Sequence, residues 1–250
     1  MLNRWWLAFL MVGAIQQGSA AIVRAESAAT QPAPIRVLML VGGQAHDYDA
    51  VPRRLADRLA AGGVHIRLTH DWTDINKQNL ADVDVMAFNC CYQYDLPEPQ
   101  RQAILEALAD KKGIVLMHCA VWCFQDWPAW GEIVGGRFDV HDPIGPFESV
   151  VVDRHHPITQ GVSERFTLTD EPYVMKDITG DRHALVLSVK PHGGHPAPEP
   201  FVWTSRYLGA RVFAILYGHD ERALGDAAYL SLLTNGLRWA AGRLGPPALL

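Results

Sequence analysis

Four histidines in this 250-residue chain stand where an apolar run gives way to polar residues, or on the segment expected to cover that place. His46 follows residues 35–41 and Gly42-Gly43, His118 follows residues 113–117, His219 follows residues 211–217 and Gly218, and His141 lies on a covering loop. Asp47, Asp170, Glu171 and Asp220 supply carboxylates on the same stretches. Imidazole titrates near neutral pH and, when neutral, is a common metal ligand. Two or three imidazoles with a carboxylate suit Zn²⁺, or another borderline divalent ion, with a position left open. Such an ion polarises a carbonyl or activates water. Without a metal, the same groups serve as general acid and general base. No tight His-x-His or His-Glu-x-x-His spacing occurs, so the expected ligand set His46, His118, His141 and His219 rests on the fold bringing them together. His118 and His219 are the leading acid–base or ligand groups, with His46, His141 and Glu171 in support.

The elements that must position these groups are legible as a pattern. Residues 35–41 form a β-branched apolar run closed by two glycines, and residues 50–61 carry Val51, Leu55 and Leu59 at helical spacing. Strands follow at 65–69, 83–88 and 113–117, with a helix over 97–110 that has Pro at its start and Gly113 beyond its end. This alternation predicts an α/β fold, a doubly wound, mostly parallel sheet wrapped by helices. Further strands are predicted at 149–152, 184–189, 201–204 and 211–217, and a closing helix at 226–241. In open parallel sheets, sites form in the crevice beyond the carboxyl ends of the strands. Four polar clusters leave strands there, after 41, 88 (Asn89-Cys90-Cys91), 117 and 217, and so converge on one rim. The remaining histidines have simpler readings. His156-Pro157-Ile158 starts a turn with Asp153, His65, His70, His155 and His183 are surface or strand positions, and His192 to His195 lie in a Gly/Pro-rich flap.

Composition excludes whole classes. At 49% hydrophobic and 20% charged, with 21 Gly and 16 Pro, the chain is neither fibrous nor disordered. A net charge of −5 with unclustered Lys and Arg argues against a nucleic-acid partner. Arg4, the apolar run 5–15 and the small residues up to Ala20 or Ala25 read as an export signal over residues 1–25, followed by a flexible lead-in at 26–34. The run is too short for a stable membrane span, which takes about 20 apolar residues. The expected location is therefore periplasmic or secreted, where Cys90, Cys91, Cys119 and Cys123 can form disulfides. Four thiols allow three pairings, and the sequence does not choose among them.

The ordered motifs Gly42-Gly43-x-x-His46-Asp47-Tyr48, Leu116-Met117-His118-Cys119-Ala120, Trp130-Gly131-x-x-Val134-Gly135-Gly136-Arg137-Phe138-x-x-His141, His156-Pro157-Ile158, Asp170-Glu171-x-Tyr173, Gly218-His219-Asp220 and Gly236 to Gly242 resemble the trehalose-utilisation, ThuA-like family. The resemblance spans residues 35–243 as one domain, with a tail at 244–250. It implies the class I glutamine amidotransferase-like superfold, related to flavodoxin. In that superfold a nucleophilic Cys often sits on a strand-to-helix elbow, which would place Cys119 at a helix N-terminus with a lowered pKa. The elbow glycines are missing here, and an inert buried thiol or half of a disulfide is the other reading of Cys119. The family pattern brings Asp170, Glu171 and Tyr173 to the pocket, though two acids before Pro172 would otherwise read as an exposed turn. Trp122, Phe124, Trp127 and Trp130 follow the expected elbow directly. Such rings stack on sugar faces, or pack as a lid over the helix.

The resulting expectation is an exported enzyme of carbohydrate catabolism, acting on a disaccharide or 3-keto sugar by His/carboxylate chemistry, with zinc the leading cofactor where a metal is used. Isomerisation or elimination next to a keto group, and hydrolysis by paired acids, are the two chemistries. Asp47, Tyr48, Trp122, Trp130, Asp170, Tyr173 and Asp220 are expected to touch a small carbohydrate, and His118, His219, Glu171 and Cys119 to do the chemistry. A non-catalytic carbohydrate-binding or scaffold domain is the contrary class. A homo-oligomer is left open.

Overall fold

Both faces of the first strand are covered, which is why its sequence is apolar almost throughout. β1 (Ile35–Gly43) is buried at seven of its nine positions and sits inside the sheet. These features come from a computed structural model that describes residues 33–244. The export signal expected over residues 1–25 lies outside the described residues. The chain continues through α1 (Ala50–Ala60), β2 (Val64–Thr69), α2 (Lys77–Ala81), β3 (Val85–Cys91), α3 (Glu98–Ala109) and β4 (Gly113–Met117). After a 3-10 turn at His118–Trp122 come α4 (Pro128–Val134), β5 (Arg137–His141), β6 (Gly145–Val151), β7 (Arg165–Asp170) and β8 (Tyr173–Lys176). β9 (His183–Ser188), β10 (Pro200–Tyr207), β11 (Ala210–Ile215), α5 (Glu221–Leu224) and α6 (Ala227–Ala240) complete it.

Nine strands form one sheet in the order β2-β1-β3-β4-β11-β10-β9-β6-β7, and β5 pairs with β8 apart from it. The first five strands are parallel, in the order 2-1-3-4 plus a late strand that marks flavodoxin-like sheets. The remainder is an antiparallel extension. Register aligns the parallel carboxyl ends: Gly43 pairs with Cys91, Phe88 with Leu116, and Met117 with Ile215. The residues just beyond them therefore emerge side by side. α6 is capped by Asp226, which accepts from Ala228 and Tyr229 N–H, and buries Tyr229, Leu232, Leu233 and Leu237. Among the described residues, no helix is long and apolar enough to cross a membrane.

The structure adds strands that the sequence pattern does not announce. β5, β7 and β8 are four to six residues long, and β5 and β7 mix exposed with covered positions. Short one-sided strands give too brief a period-two signal to stand out. Two expected loop positions move as a result. His141 ends β5, and Glu171 lies in the two-residue link between β7 and β8, which belong to different sheets.

Candidate metal and acid–base centre

At the end of β4 the chain turns sharply, and the residue that takes the strain is His118. Its φ is +48°, in the left-handed region. A non-glycine residue there costs about 1–3 kcal/mol and persists where the surroundings enforce it. The register of β4 on β11 sets His118 beside Leu216, and its Nδ1 lies 2.7 Å from the Leu216 carbonyl oxygen. A carbonyl can only accept, so Nδ1 donates and carries the proton. The other ring nitrogen, Nε2, is buried with no hydrogen-bond partner and lies 3.4 Å from Glu171 Oε2.

Two other imidazoles arrive from neighbouring strand ends. His46 follows β1 through Gly43, whose φ of +103° no side chain could share, since a Cβ there would strike the Cys91 backbone. His219 follows β11 through Gly218, whose φ is +129°. The three rings meet edge to face, with centroids 4.6 Å (His46–His219), 4.9 Å (His46–His118) and 5.5 Å (His118–His219) apart. Glu171 closes the cluster, its Oε2 lying 3.0 Å from His219 Nδ1. His46, His118, Glu171 and His219 each bring one donor atom to within 4.8 Å of the other three. Both nitrogens of His46, Nε2 of His118 and Nδ1 of His219 are buried and unpartnered.

Burial, together with His118 and His219 alongside, lowers the His46 pKa to about 3, so its ring is neutral at physiological pH. Burial pushes the Glu171 carboxyl up, but the His118 and His219 imidazoles outweigh this and hold it well below the usual carboxylate range. Glu171 in turn raises the His219 pKa against the opposing effect of burial. With Glu171 ionised and the His46 ring neutral, the cluster calls for a positive charge beside the carboxylate. A divalent ion answers that need at once, and a shared proton answers it in part.

The support behind the cluster is specific. Asp170 is fully buried, and its oxygens accept from Glu171 N–H at 2.9 Å and Gly218 N–H at 2.8 Å, fixing the two segments that carry Glu171 and His219. Burial raises its pKa, with His118 opposing. Tyr173 is buried, 4.7 Å from the His118 ring and stacked on His141 at 5.2 Å. Tyr48 sets its ring edge-on to His46, and its hydroxyl is buried without a partner. The Leu216 carbonyl, which fixes the His118 tautomer, leaves no trace in the sequence, since every residue has one.

The other expected positions fall as follows. His141 stands outside the four-residue donor set, at the rim, with Nδ1 3.9 Å from Glu171 Oε1 and 3.0 Å from the Asp142 carbonyl. Cys119 is bonded to Cys91, so its sulfur holds no free thiolate, and the strained elbow position belongs to His118. Asp47 is exposed and accepts from Asp49 and Ala50 N–H at the start of α1. Asp220 caps α5 and pairs with Arg222. Trp130 is 1% exposed and donates to the Ala120 carbonyl, so it is core and no sugar platform. Trp122 is half-buried against Phe138. The expected flap is tied to the β5 region, His192 to Asp142 and His195 to Asp139, both at 3.0 Å. A cavity of about 310 Å³ lined by Phe124, Trp127 and Arg137 contains none of the clustered histidines.

A family model described as trehalose utilisation, ThuA, matches residues 36–240. The chain belongs to the ThuA family. Its fold is shared by a ThuA-like protein from Parabacteroides merdae ATCC 43184, with TM-score 0.72 and 20% identity over 83% of this chain and 90% of that one. A ThuA-like protein from Bacteroides uniformis ATCC 8492 gives TM-score 0.70 and 21% identity over 86% and 94%. A protein described as a GMP synthase subunit, from Thermoplasma acidophilum, gives 0.54 and 10% over 84% and 95%, which ties the ThuA sheet to the glutamine amidotransferase-like fold. No curated protein matches in sequence.

Proposed function

We propose that this ThuA-family chain is an exported, metal-assisted enzyme that removes a proton next to the carbonyl of an oxidised sugar. The observation that carries this reading is His118 Nε2, oriented by the bond from Nδ1 to the Leu216 carbonyl and buried without a hydrogen-bond partner 3.4 Å from the Glu171 carboxylate, with His46 and His219 alongside. His46, His118 and His219 with Glu171 would hold the ion, whose chemistry is to polarise the sugar carbonyl and stabilise an enediolate oxygen. His141 stands beside the cluster, exposed enough to meet substrate, and is placed to take a proton from carbon as the general base. Returning that proton to the former carbonyl carbon, while the hydroxyl on the carbon that lost it passes its own proton to the carbonyl oxygen, gives isomerisation; expelling a group from the β carbon gives elimination. Tyr173 keeps the His141 ring aligned by stacking.

The test is metal analysis of the purified protein, with turnover of a 3-keto disaccharide by wild type, His118→Ala and His141→Ala. The expected result is one divalent ion per chain, lost in His118→Ala. In His141→Ala the ion should stay while turnover drops by about 10²–10⁴-fold. A metal-free wild type with no turnover, and unchanged sugar affinity in both variants, would instead favour a carbohydrate-binding domain that uses the aromatic cavity.

A further inference from the structure

The four cysteines face one another across the seam between β3 and the turn after β4. Cys91 and Cys119 are joined, with Cα atoms 5.2 Å apart. Cys90 and Cys123 are buried thiols with sulfurs 3.6 Å apart, and Cys123 is further held by the Tyr92 N–H and the Cys90 carbonyl. The bonded pair also adjoins His46. One ligand atom from each of His46, Cys91 and Cys119 lies within 4.8 Å of the other two. His46 is the residue whose two ring nitrogens are both buried without partners, and the four-residue centre draws on only one of its atoms. A single imidazole therefore stands between an oxygen and nitrogen donor set and a pair of sulfurs.

We infer that reduced Cys91 and Cys119, together with His46, form a second, sulfur-bearing site for a divalent metal ion. The inference shares only His46 with the proposed function and stands if no ion binds the first centre. A dithiol reductant opens the site: its thiolate attacks one sulfur, the S–S bond breaks, and the reductant closes to its own disulfide. The two electrons pass to Cys91 and Cys119, which leave as thiols after taking up two protons. Metal binding then releases both protons as the thiolates ligate. Two thiolates on a tetrahedral ion stand about 3.8 Å apart, given a Zn–S distance of about 2.3 Å. Side-chain rotation about backbones whose Cα atoms are 5.2 Å apart supplies that spacing. Thiolates favour softer ions than imidazole and carboxylate do, so the redox state of this bond selects which donors compete for His46.

Cobalt(II) absorption tests this on the full chain, oxidised and then reduced with a dithiol that is removed anaerobically before cobalt is added. Alkylation under denaturing conditions should count two free thiols before reduction and four after it. The expected result is a near-ultraviolet thiolate-to-cobalt charge-transfer band in the reduced protein alone, lost in Cys91→Ser/Cys119→Ser and lost again after chelation and reoxidation. His46→Gln in the reduced state should weaken cobalt binding by about tenfold or more, a readout that serves if the double variant does not fold. A reduced protein without the band, or a band retained in the double serine variant, would overturn the inference. A band in the reduced protein with no cobalt bound to the oxidised one would uphold this site and reject the first.

Discussion

Two buried clusters lie a dozen residues apart in the chain and are opposite in kind. Around His118, four ring nitrogens on three histidines are hidden from water with no partner. Around Trp130, the ring stacks on Trp127 at 5.8 Å, meets Phe88 at 4.9 Å and Phe124 at 5.0 Å, and its N–H is satisfied by Ala120 at 3.1 Å. Burial with every polar need met is the mark of a core, which the protein keeps for stability. Burial with polar atoms left over costs stability and is retained where a ligand completes them. The two regions should therefore separate stability from binding.

Trp130→Ala should produce the largest change, a destabilisation of about 3–5 kcal/mol, because it empties a large, close-packed site. Urea unfolding of the metal-free protein reads this, and zinc affinity of the folded fraction should not move. Glu171→Gln should do the reverse. It removes the one anionic donor, and zinc affinity measured by calorimetry should fall by more than about 100-fold, beyond what an outer-shell partner costs. Metal-free stability should fall much less than in Trp130→Ala, since the change keeps the side chain's shape and removes only the attraction of a partly exposed carboxylate for the neighbouring imidazoles. If both variants lowered stability and affinity together, the two clusters would be one structural unit and the distinction would fail.

How far the sequence discloses this contrast depends on the residue. His46, His118 and His219 are legible because each follows a strong apolar run, and parallel strands deliver their carboxyl ends to one edge. Glu171 is legible only as one of several acids, since its turn joins two short strands whose pattern is too brief to read. His141 groups with the ligands in the sequence because residue type does not show that β5 lies outside the main sheet, paired with β8. Trp130 misleads for a different reason: aromatic residues at a site and in a core have the same composition, and only burial separates them. The Cys91–Cys119 pairing is among the permitted options, and adjacency of β3 and β4 decides it.

Asp170→Asn sharpens the comparison from within the histidine cluster. The carboxylate accepts from two backbone N–H groups, and an amide would turn an N–H toward one of them. Leaving a buried donor unpaired costs about 1–3 kcal/mol. The same change loosens the segments that carry Glu171 and His219, so zinc affinity should fall by about 10–100-fold. An effect on stability with none on affinity would show Asp170 to be scaffold alone.

The last expected effect is a pH dependence that His46 contributes to the metal-free protein. Its folded pKa of about 3 lies below the ordinary histidine value of 6.5, so between those limits the unfolded chain binds more protons than the folded one. Its contribution is present above pH 6.5 and is lost progressively as pH falls toward 3. Glu171, with its depressed pKa, adds to the loss at the acid end of that window. His219 works the other way: its raised pKa favours the folded state below 6.5, and that contribution is lost as pH rises through the folded value. The three overlap, so the measurement must be a difference. Urea midpoints of wild type and His46→Gln, followed from about pH 7 to about pH 4, should diverge steadily, with the wild type losing more stability on acidification. Parallel curves would mean that His46 takes up its proton in the folded state as readily as in the unfolded one, and the crowding of three imidazoles at this rim would no longer need an ion to explain it.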